Sequence, residues 1–308
     1  MVPALKWFYQ ANIGRIIARL CAQSCQAVTL RRFIIADFSM YICPLCRQPL
    51  QLTTRQYQCA ARHSFDLAKE GYVNLLPVQQ KNSKDPGDNK LMIEARRAFL
   101  QSAAYQPLSD AVNELAVQTN PATVLDLGCG EGYYSGRLQQ KLNPAARLYG
   151  IDISKAAIKY AARHYAAIRF AVASAYQLPF ADNSFDSIIR IYAPSDNAEL
   201  QRVLTPQGRL ISVNPGPEHL IEMKQAVYRD VKLHSDAIKQ EPGFNHIQRQ
   251  RLSYQLVLTE PQQLDNLLQM VPLAWKFTSD NRQTFVASTR TISIDFLLDV
   301  YQLAQVTP

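Results

Sequence analysis

A glycine-rich turn carries the residues with the clearest chemistry in this chain of 308 residues. Residues 126–132 read Asp-Leu-Gly-Cys-Gly-Glu-Gly and continue the apolar run 123–127. Glycines let a backbone turn sharply and let a ligand approach where a Cβ would collide. Dinucleotide-binding turns have the spacing G-x-G-x-x-G and receive a pyrophosphate, whereas the spacing here is G-x-G-x-G. Asp126 and Glu131 would repel a pyrophosphate but suit the cationic sulfonium and amino groups of S-adenosylmethionine. The turn therefore predicts a methyl-donor site.

Two more polar residues follow the next apolar runs. Asp152 comes directly after the run 148–151, where an acid is well placed to bind both ribose hydroxyls. It could also cap the helix expected to start near Ser154. Ser174 follows a third run, at a position where methyltransferases often carry Asp for the adenine amino group. The serine predicts a weaker contact, made by its own Oγ or by backbone groups.

Four metal-binding side chains form the pattern Cys-x2-Cys-x12-Cys-x3-His at Cys43, Cys46, Cys59 and His63. Zinc favours a tetrahedron of thiolates and imidazole, and a two-residue spacing lets one tight turn aim two sulfurs at the ion. Because protein groups fill all four positions, the predicted zinc site is closed and structural, with no place for a catalytic water. The alternative is a set of buried free cysteines. Short β-type runs around the ligands predict a small ribbon.

Cations and aromatic rings interleave around these ligands, at Arg47, Arg55, Tyr57, Arg62, Phe65, Lys69 and Tyr72. RNA-binding modules combine cations for phosphates with exposed rings on which bases stack. Net charge is +4 over residues 1–40, +3 over 41–90 and +1 over 91–308. This distribution favours a polyanionic partner that touches mainly the small module. The alternatives are a ribbon that contacts only proteins and a merely solvated surface.

The order of the apolar runs predicts the elements that position these residues. Strands and helices alternate from residue 121 onward, which is typical of a doubly wound, mostly parallel sheet with its ligand at the carboxyl ends of the strands. Apolar residues alternate from Ile292 to Leu298 and predict a final antiparallel strand. The predicted fold is α/β, a class I (Rossmann-like) S-adenosylmethionine methyltransferase domain with a small N-terminal zinc-ribbon module.

Composition and charge divide the chain into four parts. Residues 1–39 form an N-terminal extension with an amphipathic pattern, and translation is expected to start at Met40; the alternative is that 1–39 is a functional targeting segment. Residues 40–80 form the zinc module, 81–120 a polar linker with two lead-in helices, and 121–308 the methyltransferase domain. Six cysteines without a secreted disulfide pattern predict a reducing, cytoplasmic location. No apolar run is long enough to span a bilayer, so no membrane partner is expected.

Missing motifs narrow the methyl acceptor. Methylation of the exocyclic amino groups of adenine or cytosine typically uses an Asn-Pro-Pro-Tyr-like motif after the fourth strand, where this chain has Tyr-Ala-Pro-Ser at 192–195. Methylation at pyrimidine C5 needs a cysteine nucleophile, and the later chain offers only Cys129, inside the donor turn. Direct attack by an acceptor heteroatom, aligned with the sulfonium carbon, remains.

Several motifs together resemble the RlmA family, bacterial enzymes that methylate guanine N1 in a domain II hairpin of 23S ribosomal RNA. The resemblance extends from about residue 40 to the last strand. It rests on Cys43–Cys46, 69–77 (Lys-Glu-Gly-Tyr-Val-Asn-Leu-Leu-Pro), 85–88 (Asp-Pro-Gly-Asp), 95–100 (Ala-Arg-Arg-Ala-Phe-Leu), 128–134, 189–194 (Ile-Arg-Ile-Tyr-Ala-Pro) and 215–220.

The resemblance implies zinc ligands at the four positions above and donor contacts from Tyr105, the glycine loop, Asp152 and His219. It also implies a homodimer whose cleft and zinc modules hold the RNA hairpin. Spacing and resemblance together predict a donor site made of Tyr105, Asp126, Gly128, Gly130, Glu131, Gly132, Tyr133, Asp152, Ser174 and His219. Some group must accept the guanine N1 proton; neither the residues nor the resemblance names it, and the choice among neighbouring guanines stays open.

Two other classes of function compete with this interpretation. A small-molecule methyltransferase with a structural zinc ribbon would also carry Leu-Pro-Phe at 178–180 and Ser-Phe-Asp at 184–186. A zinc-ribbon binding protein with a degenerate donor fold is disfavoured by the intact glycine turn. The zinc module and its charge favour RNA over both.

Overall fold

The computed structural model describes residues 40–77 and 90–304. The predicted N-terminal extension at 1–39, with its amphipathic segment, and the predicted linker up to residue 89 lie outside the described residues. Within the described part, no helix combines the length and the apolar character needed to cross a membrane.

The zinc module is a small antiparallel ribbon. Tyr57, at its centre, pairs with Leu52 on one side and Phe65 on the other. The ribbon comprises β1 (Gln51–Leu52), β2 (Gln56–Gln58) and β3 (Ser64–Asp66).

A mixed sheet of eight strands organises the rest of the described chain. Its strands are β4 (Val73–Asn74), β5 (Thr123–Leu127), β6 (Arg147–Asp152), β7 (Arg169–Val172), β8 (Phe185–Ile191), β9 (Leu204–Pro215), β10 (Phe244–Val257) and β11 (Thr291–Leu303). The spatial order is β10-β11-β9-β8-β5-β6-β7-β4, with the run from β9 to β4 parallel and the other pairings antiparallel. This order confirms the predicted doubly wound sheet with a late antiparallel strand.

Two features of the sheet differ from the sequence prediction. β10 is a fourteen-residue strand that pairs with β11 along its length, and no strand is predicted there. Its residues are exposed or half-buried except Phe244, so its apolar signal is weak. β4 lies inside the predicted zinc module but pairs with β7, so this module contributes a strand to the main sheet.

Helices cover one face of the sheet more completely than the other. They are α1 (Lys90–Gln101), α2 (Gln106–Val117), α3 (Tyr133–Gln139), α4 (Lys155–His164), α5 (Asn197–Val203), α6 (Ile221–Val227), α7 (Pro261–Met270) and α8 (Ser279–Ser288), with a 3₁₀ helix at Pro272–Lys276. Alternate residues of a strand face opposite sides. Accordingly Val124 of β5 packs into the core with α2, α4 and α7, whereas Leu125 packs with α5 and the zinc ribbon.

The ribbon is part of the second core. Tyr41 is 1% exposed, stacks on Phe180 with ring centroids 5.1 Å apart, and meets Tyr57 and Tyr149 edge-on. The backbone amide of Ile42 also donates to the carbonyl of Pro179. Zinc module and methyltransferase sheet therefore share one aromatic core.

This packing corrects the prediction of exposed aromatic rings in the ribbon. Tyr57 and Tyr72 are each only 5% exposed, and Phe65 is half-buried. Rings are drawn inward because the ribbon has to cover a sheet face, where aromatic burial is strongly favourable. The predicted cations are exposed, namely Arg47, Arg55, Arg62 and Lys69.

Candidate active site and zinc centre

A cavity of about 720 Å³ opens at the carboxyl ends of β5, β6, β7, β8 and β9. This is the edge at which ligands bind open parallel sheets, because the loops that leave the strands diverge there. Nine of the ten predicted donor-site residues line it: Tyr105, Asp126, Gly128, Gly130, Glu131, Tyr133, Asp152, Ser174 and His219. Gly132 does not line it.

The glycine loop is held against β6 by backbone bonds. The amides of Gly128 and Cys129 both donate to the carbonyl of Ile151, at 2.8 and 2.9 Å. Gly130 has φ +55°, and a Cβ built on it meets no protein atom within 4 Å, so the space beside it is open to a ligand. A Cβ on Gly132 would lie 3.0 Å from the Tyr165 ring, so that glycine permits packing between the loop and α4 rather than ligand contact.

Asp152 braces this loop from the tip of β6. Its Oδ2 accepts from the Gly130 amide at 3.0 Å and its Oδ1 from the Ser154 amide at 2.7 Å. The cap of α4 is Ser154, whose Oγ accepts from the amide of Ala157 at 3.4 Å. The suggestion that Asp152 caps this helix is therefore wrong, and its carboxylate orders the donor loop instead.

Asp126 is a buried carboxyl at the floor of the cavity, only 3% exposed. Burial raises its pKa to about 6; the hydroxyl of Ser135, which donates to Oδ2, opposes that rise, and the nearby Asp152 carboxylate adds to it. A buried carboxylate is costly until a cation offsets its lost hydration. Its chemistry thus fits a cationic ligand and not a phosphate.

Aromatic rings surround Tyr105 in the wall of the cavity. Tyr105 is 4% exposed and meets Phe99 and Phe296 edge-on, with centroids 4.9 and 5.1 Å away. The Tyr254 hydroxyl of β10 donates to the carbonyl of Ala104 at 2.7 Å, which fixes the turn that presents Tyr105. The unpredicted strand β10 thereby positions a predicted site residue.

His219 lies on the turn after β9 and packs on Phe296, with ring centroids 4.6 Å apart. Its Nδ1 accepts from the backbone amide of Asp295 at 3.3 Å, which places the proton of the neutral ring on Nε2. Burial lowers the pKa of His219 to about 3, and the neighbouring His234 contributes to the decrease. The ring therefore stays neutral and offers the cavity an N–H donor.

Other lining residues have no predicted role, and their sequence signals are weak. Tyr192 follows β8 with φ +54°, a strained conformation for a tyrosine that places its ring 6.1 Å from that of His219. His234 reaches the cavity from a loop without periodicity, and the segment 270–272 reaches it from the junction between α7 and the 3₁₀ helix. Only position after a strand could have drawn attention to Tyr192, and no sequence signal marks His234.

The four predicted zinc ligands converge, with their donor atoms all within 4.8 Å of one another. His63 Nδ1 lies 3.4 Å from Cys43 Sγ and 3.5 Å from Cys59 Sγ, and Cys46 Sγ lies 3.6 Å from Cys59 Sγ. A zinc tetrahedron with bonds of about 2.3 Å to sulfur and about 2.0 Å to nitrogen has edges of about 3.5–3.8 Å. The arrangement fits one structural Zn²⁺.

Comparisons with known proteins decide the family. Residues 41–84 match the family model described as "RlmA, N-terminal", and residues 118–270 match a "Methyltransferase domain" model. The chain is 33% identical to a 23S rRNA (guanine(748)-N(1))-methyltransferase of Streptomyces fradiae, over 76% of this chain and 85% of that protein. It is also 33% identical to YxjB of Bacillus subtilis, over 85% of this chain and 97% of that protein. The chain belongs to the RlmA family.

A third relative matches a much smaller share of the chain. The malonyl-[acyl-carrier protein] O-methyltransferase of Hahella chejuensis is 32% identical, but over only 41% of this chain and 48% of that protein. The RlmA relatives instead match most of the chain, so the combination of ribbon and catalytic domain distinguishes them.

As an RlmA-family member the protein is an S-adenosylmethionine-dependent methyltransferase with one structural zinc. S-adenosylmethionine supplies an electrophilic methyl group on a sulfonium. Asp126 and Glu131 would provide the negative charge that a cationic donor requires, and the open space beside Gly130 would admit it. Which individual contacts the nine lining residues make with the donor stays a prediction.

Proposed function

We propose that this enzyme transfers a methyl group from S-adenosylmethionine to N1 of a guanine in 23S ribosomal RNA, within a domain II hairpin. The observation that carries the proposal is the match to the Streptomyces fradiae enzyme over 76% of this chain, together with the match of residues 41–84 to the RlmA N-terminal model. The division into an extension at 1–39, a zinc module at 40–80, a lead-in at 81–120 and a catalytic domain at 121–308 belongs to the same proposal.

The shape of the cavity supports a nucleobase as the acceptor. A volume of about 720 Å³ is toward the upper end of the range for single-ligand sites, and it leaves room beside the donor loop. Tyr176 lines the cavity and is 60% exposed, and Tyr192 is 48% exposed. Rings in such positions stack on a base that has left its helix, which it must do before its N1 edge can meet the methyl group.

The zinc module supports the RNA part of the proposal through its charge. Arg47, Arg55, Arg62 and Lys69 are exposed on and around the ribbon, whereas its tyrosines are buried. The module would therefore grip the phosphate backbone and leave base recognition to the cavity. We further propose that the enzyme acts as a cytoplasmic homodimer whose cleft holds the hairpin.

Labelling with a tritiated donor tests the acceptor. Ribosomal RNA from a strain that lacks the enzyme should gain label in 23S RNA. A new reverse-transcription stop should map it to one guanine, because a methyl group on N1 blocks base pairing. Label that enters only small metabolites or an acyl carrier would reject the RNA assignment and favour the small-molecule methyltransferase that the catalytic domain also resembles.

Removal of zinc ligands tests the role of the ribbon. Cys43→Ser together with Cys46→Ser should weaken RNA binding while donor affinity stays close to that of the unchanged protein, as measured by calorimetry. Donor binding that fails before RNA binding would contradict the proposed role of the module. A Cys129→Ser variant is the converse comparison, since it changes a thiol in the donor loop and outside the zinc site and should leave RNA binding unchanged.

A further inference from the structure

The reaction proposed above needs a group that takes a proton. Neutral guanine carries hydrogen on N1, and that proton has to leave as N1 bonds to the methyl carbon. A suitable acceptor must line the cavity away from the donor loop and the carboxylates beside it, be uncharged or anionic, and have a lone pair not already used inside the protein. Few of the lining side chains meet all three requirements.

The acids and the thiol belong to the donor side. Asp126 accepts from Ser135 at the cavity floor, and Asp152 is engaged by the amides of the donor loop and of α4. Glu131 lies within the donor loop itself. Burial raises the pKa of the Cys129 thiol well above its usual value, with the surrounding carboxylates adding to the rise, so it stays protonated.

The tyrosine hydroxyls and the imidazole of His219 act as hydrogen-bond donors. Burial raises the pKa values of Tyr105 and Tyr134, which keeps these hydroxyls protonated. His219 has already used the lone pair of Nδ1 on the Asp295 amide, so its Nε2 presents hydrogen to the cavity. It can donate a hydrogen bond to a carbonyl oxygen but cannot take a proton there.

His234 is the remaining imidazole on the cavity wall, and in the described structure no side chain makes a hydrogen bond to its ring. It is partly buried beside His219, Lys224 and Asp295. The burial lowers its pKa below the usual value and the Lys224 ammonium lowers it further, while Asp295 opposes the shift. The ring is therefore neutral at physiological pH, with one nitrogen able to accept a proton.

Several contacts hold the segment that carries His234 in place. The backbone amide of His234 donates to the carbonyl of Pro217, on the turn that carries His219, at 3.4 Å. Farther along, the Tyr301 hydroxyl donates to the carbonyl of Lys239 at 2.9 Å, and Glu241 forms a buried ion pair with Arg190 of β8. The imidazole is thus carried by a fixed loop rather than a free one.

We propose that His234 is the catalytic base that takes the N1 proton of the target guanine. As the bond from N1 to the methyl carbon forms, the bond from that carbon to sulfur breaks and its electron pair stays on sulfur. The proton moves to the imidazole, which later releases it to water. Each turnover then yields neutral N1-methylguanine, neutral S-adenosylhomocysteine and one proton.

His234→Gln and His234→Ala test the assignment against His164→Gln. His164 is exposed and stacks on Tyr160 at a distance from the cavity, so its substitution controls for the loss of an imidazole. Both His234 variants should bind the donor within about twofold of the unchanged enzyme but lose about 10²-fold or more in single-turnover methylation. Added imidazole should restore part of the rate to His234→Ala. A rate within threefold of the unchanged enzyme in both variants would overturn the proposal.

Two pH measurements distinguish a catalytic role of His234 from a purely structural one. In ¹³C-histidine spectra of the donor-free protein, the signal lost in His234→Gln should titrate with a midpoint below 6.5; a midpoint above 7 would reject the base. At a donor concentration that saturates the enzyme at every pH, so that protonation of Asp126 does not limit the rate, the acid limb of the methylation rate should follow that midpoint and disappear in His234→Gln. An acid limb that is unchanged in His234→Gln under these conditions would also overturn the proposal. If the wild-type enzyme fails to methylate 23S RNA, the proposed function is wrong; the assignment of His234 as the base is tested only where the wild type is active.

Discussion

Gly130 borders the open space beside the donor loop, where we expect the backbone and the ligand to come closest. Gly130→Ala should destabilise the fold by about 1–2 kcal/mol, because φ is +55° there, and should weaken donor binding about tenfold or more. Gly71→Ala is the matched control: φ is +94°, a Cβ likewise meets no protein atom, and the residue lies outside the cavity. Chemical denaturation and donor calorimetry separate the two effects. Equal donor affinities of Gly130→Ala and Gly71→Ala would show that the ligand does not use the space beside Gly130.

The Asp126 carboxyl makes donor binding depend on pH. Its pKa of about 6 in the donor-free protein lies above the usual value, so acid protonates it and removes the charge that a cationic donor needs. Donor affinity should therefore fall about tenfold from pH 7 to pH 5. In Asp126→Asn the affinity should be lower at pH 7 and nearly flat over the same range. A slope that persists in the variant would assign the dependence to another group.

The same raised pKa has a consequence for the empty protein. A carboxyl whose pKa is higher in the folded than in the unfolded state destabilises the fold as pH rises through the interval between the two values. The donor-free enzyme should accordingly lose stability between about pH 4 and about pH 6 from this group. Saturation with donor should reduce the loss.

At the scale of single residues, spacing was a good guide wherever a residue follows a strand. Asp126, Asp152 and the glycines of the loop follow from this rule, because the end of a parallel strand fixes where the next residue lies. Tyr105 and His219 needed the family resemblance. His234 could not be predicted, since a lone histidine in an aperiodic segment carries no positional information.

At the scale of elements, the segment 228–243, which carries His234, is attached to the sheet by a buried ion pair between Glu241 and Arg190 of β8. The Arg190 and Glu241 side chains are 5% and 2% exposed. Glu241→Gln should cost about 3–5 kcal/mol, because it leaves a buried guanidinium without its countercharge. Amide exchange should rise across the segment, and methylation should fall more than donor binding.

Asp182→Asn is the control for that variant. Asp182 pairs with Arg202 at 2.8 Å, but its side chain is 70% exposed, so the loss should stay below about 1 kcal/mol. Similar losses from the two variants, measured by urea denaturation, would mean that the buried pair does not fix the segment.

Prediction of the elements succeeded where apolar runs are buried on both faces and failed where burial is one-sided. β5 and β8 were predicted because nearly every residue in them is buried. β10 was missed because only its last part alternates, at Leu252, Tyr254 and Leu256, whereas residues 245–251 contain a single apolar residue. The exposed rings expected in the ribbon were wrong for a related reason, since the sequence does not show that the ribbon packs on a sheet.

For the whole molecule, the exposed cations of the ribbon predict how salt affects RNA binding. Each cation that neutralises a phosphate contributes about 0.7–0.9 to the slope of log affinity against log salt. Arg55→Gln combined with Arg62→Gln should lower the slope by about 1.5. Arg147→Gln, exposed at the amino end of β6 and opposite the cavity, should leave it unchanged. Equal slopes in all three proteins would place the RNA elsewhere.

The two-residue strand β4 has a consequence beyond the attachment of the ribbon. Val73 and Asn74 pair with Ala171 and Val172 of β7, and the amide of Leu75 donates to the carbonyl of Val172. Without them, β7 would end the parallel sheet with bare amide and carbonyl groups, which invite strands from other chains to add on. Through β4 the zinc module thus also covers the sheet edge and opposes self-association. A catalytic domain produced without residues 40–77 should aggregate through β7.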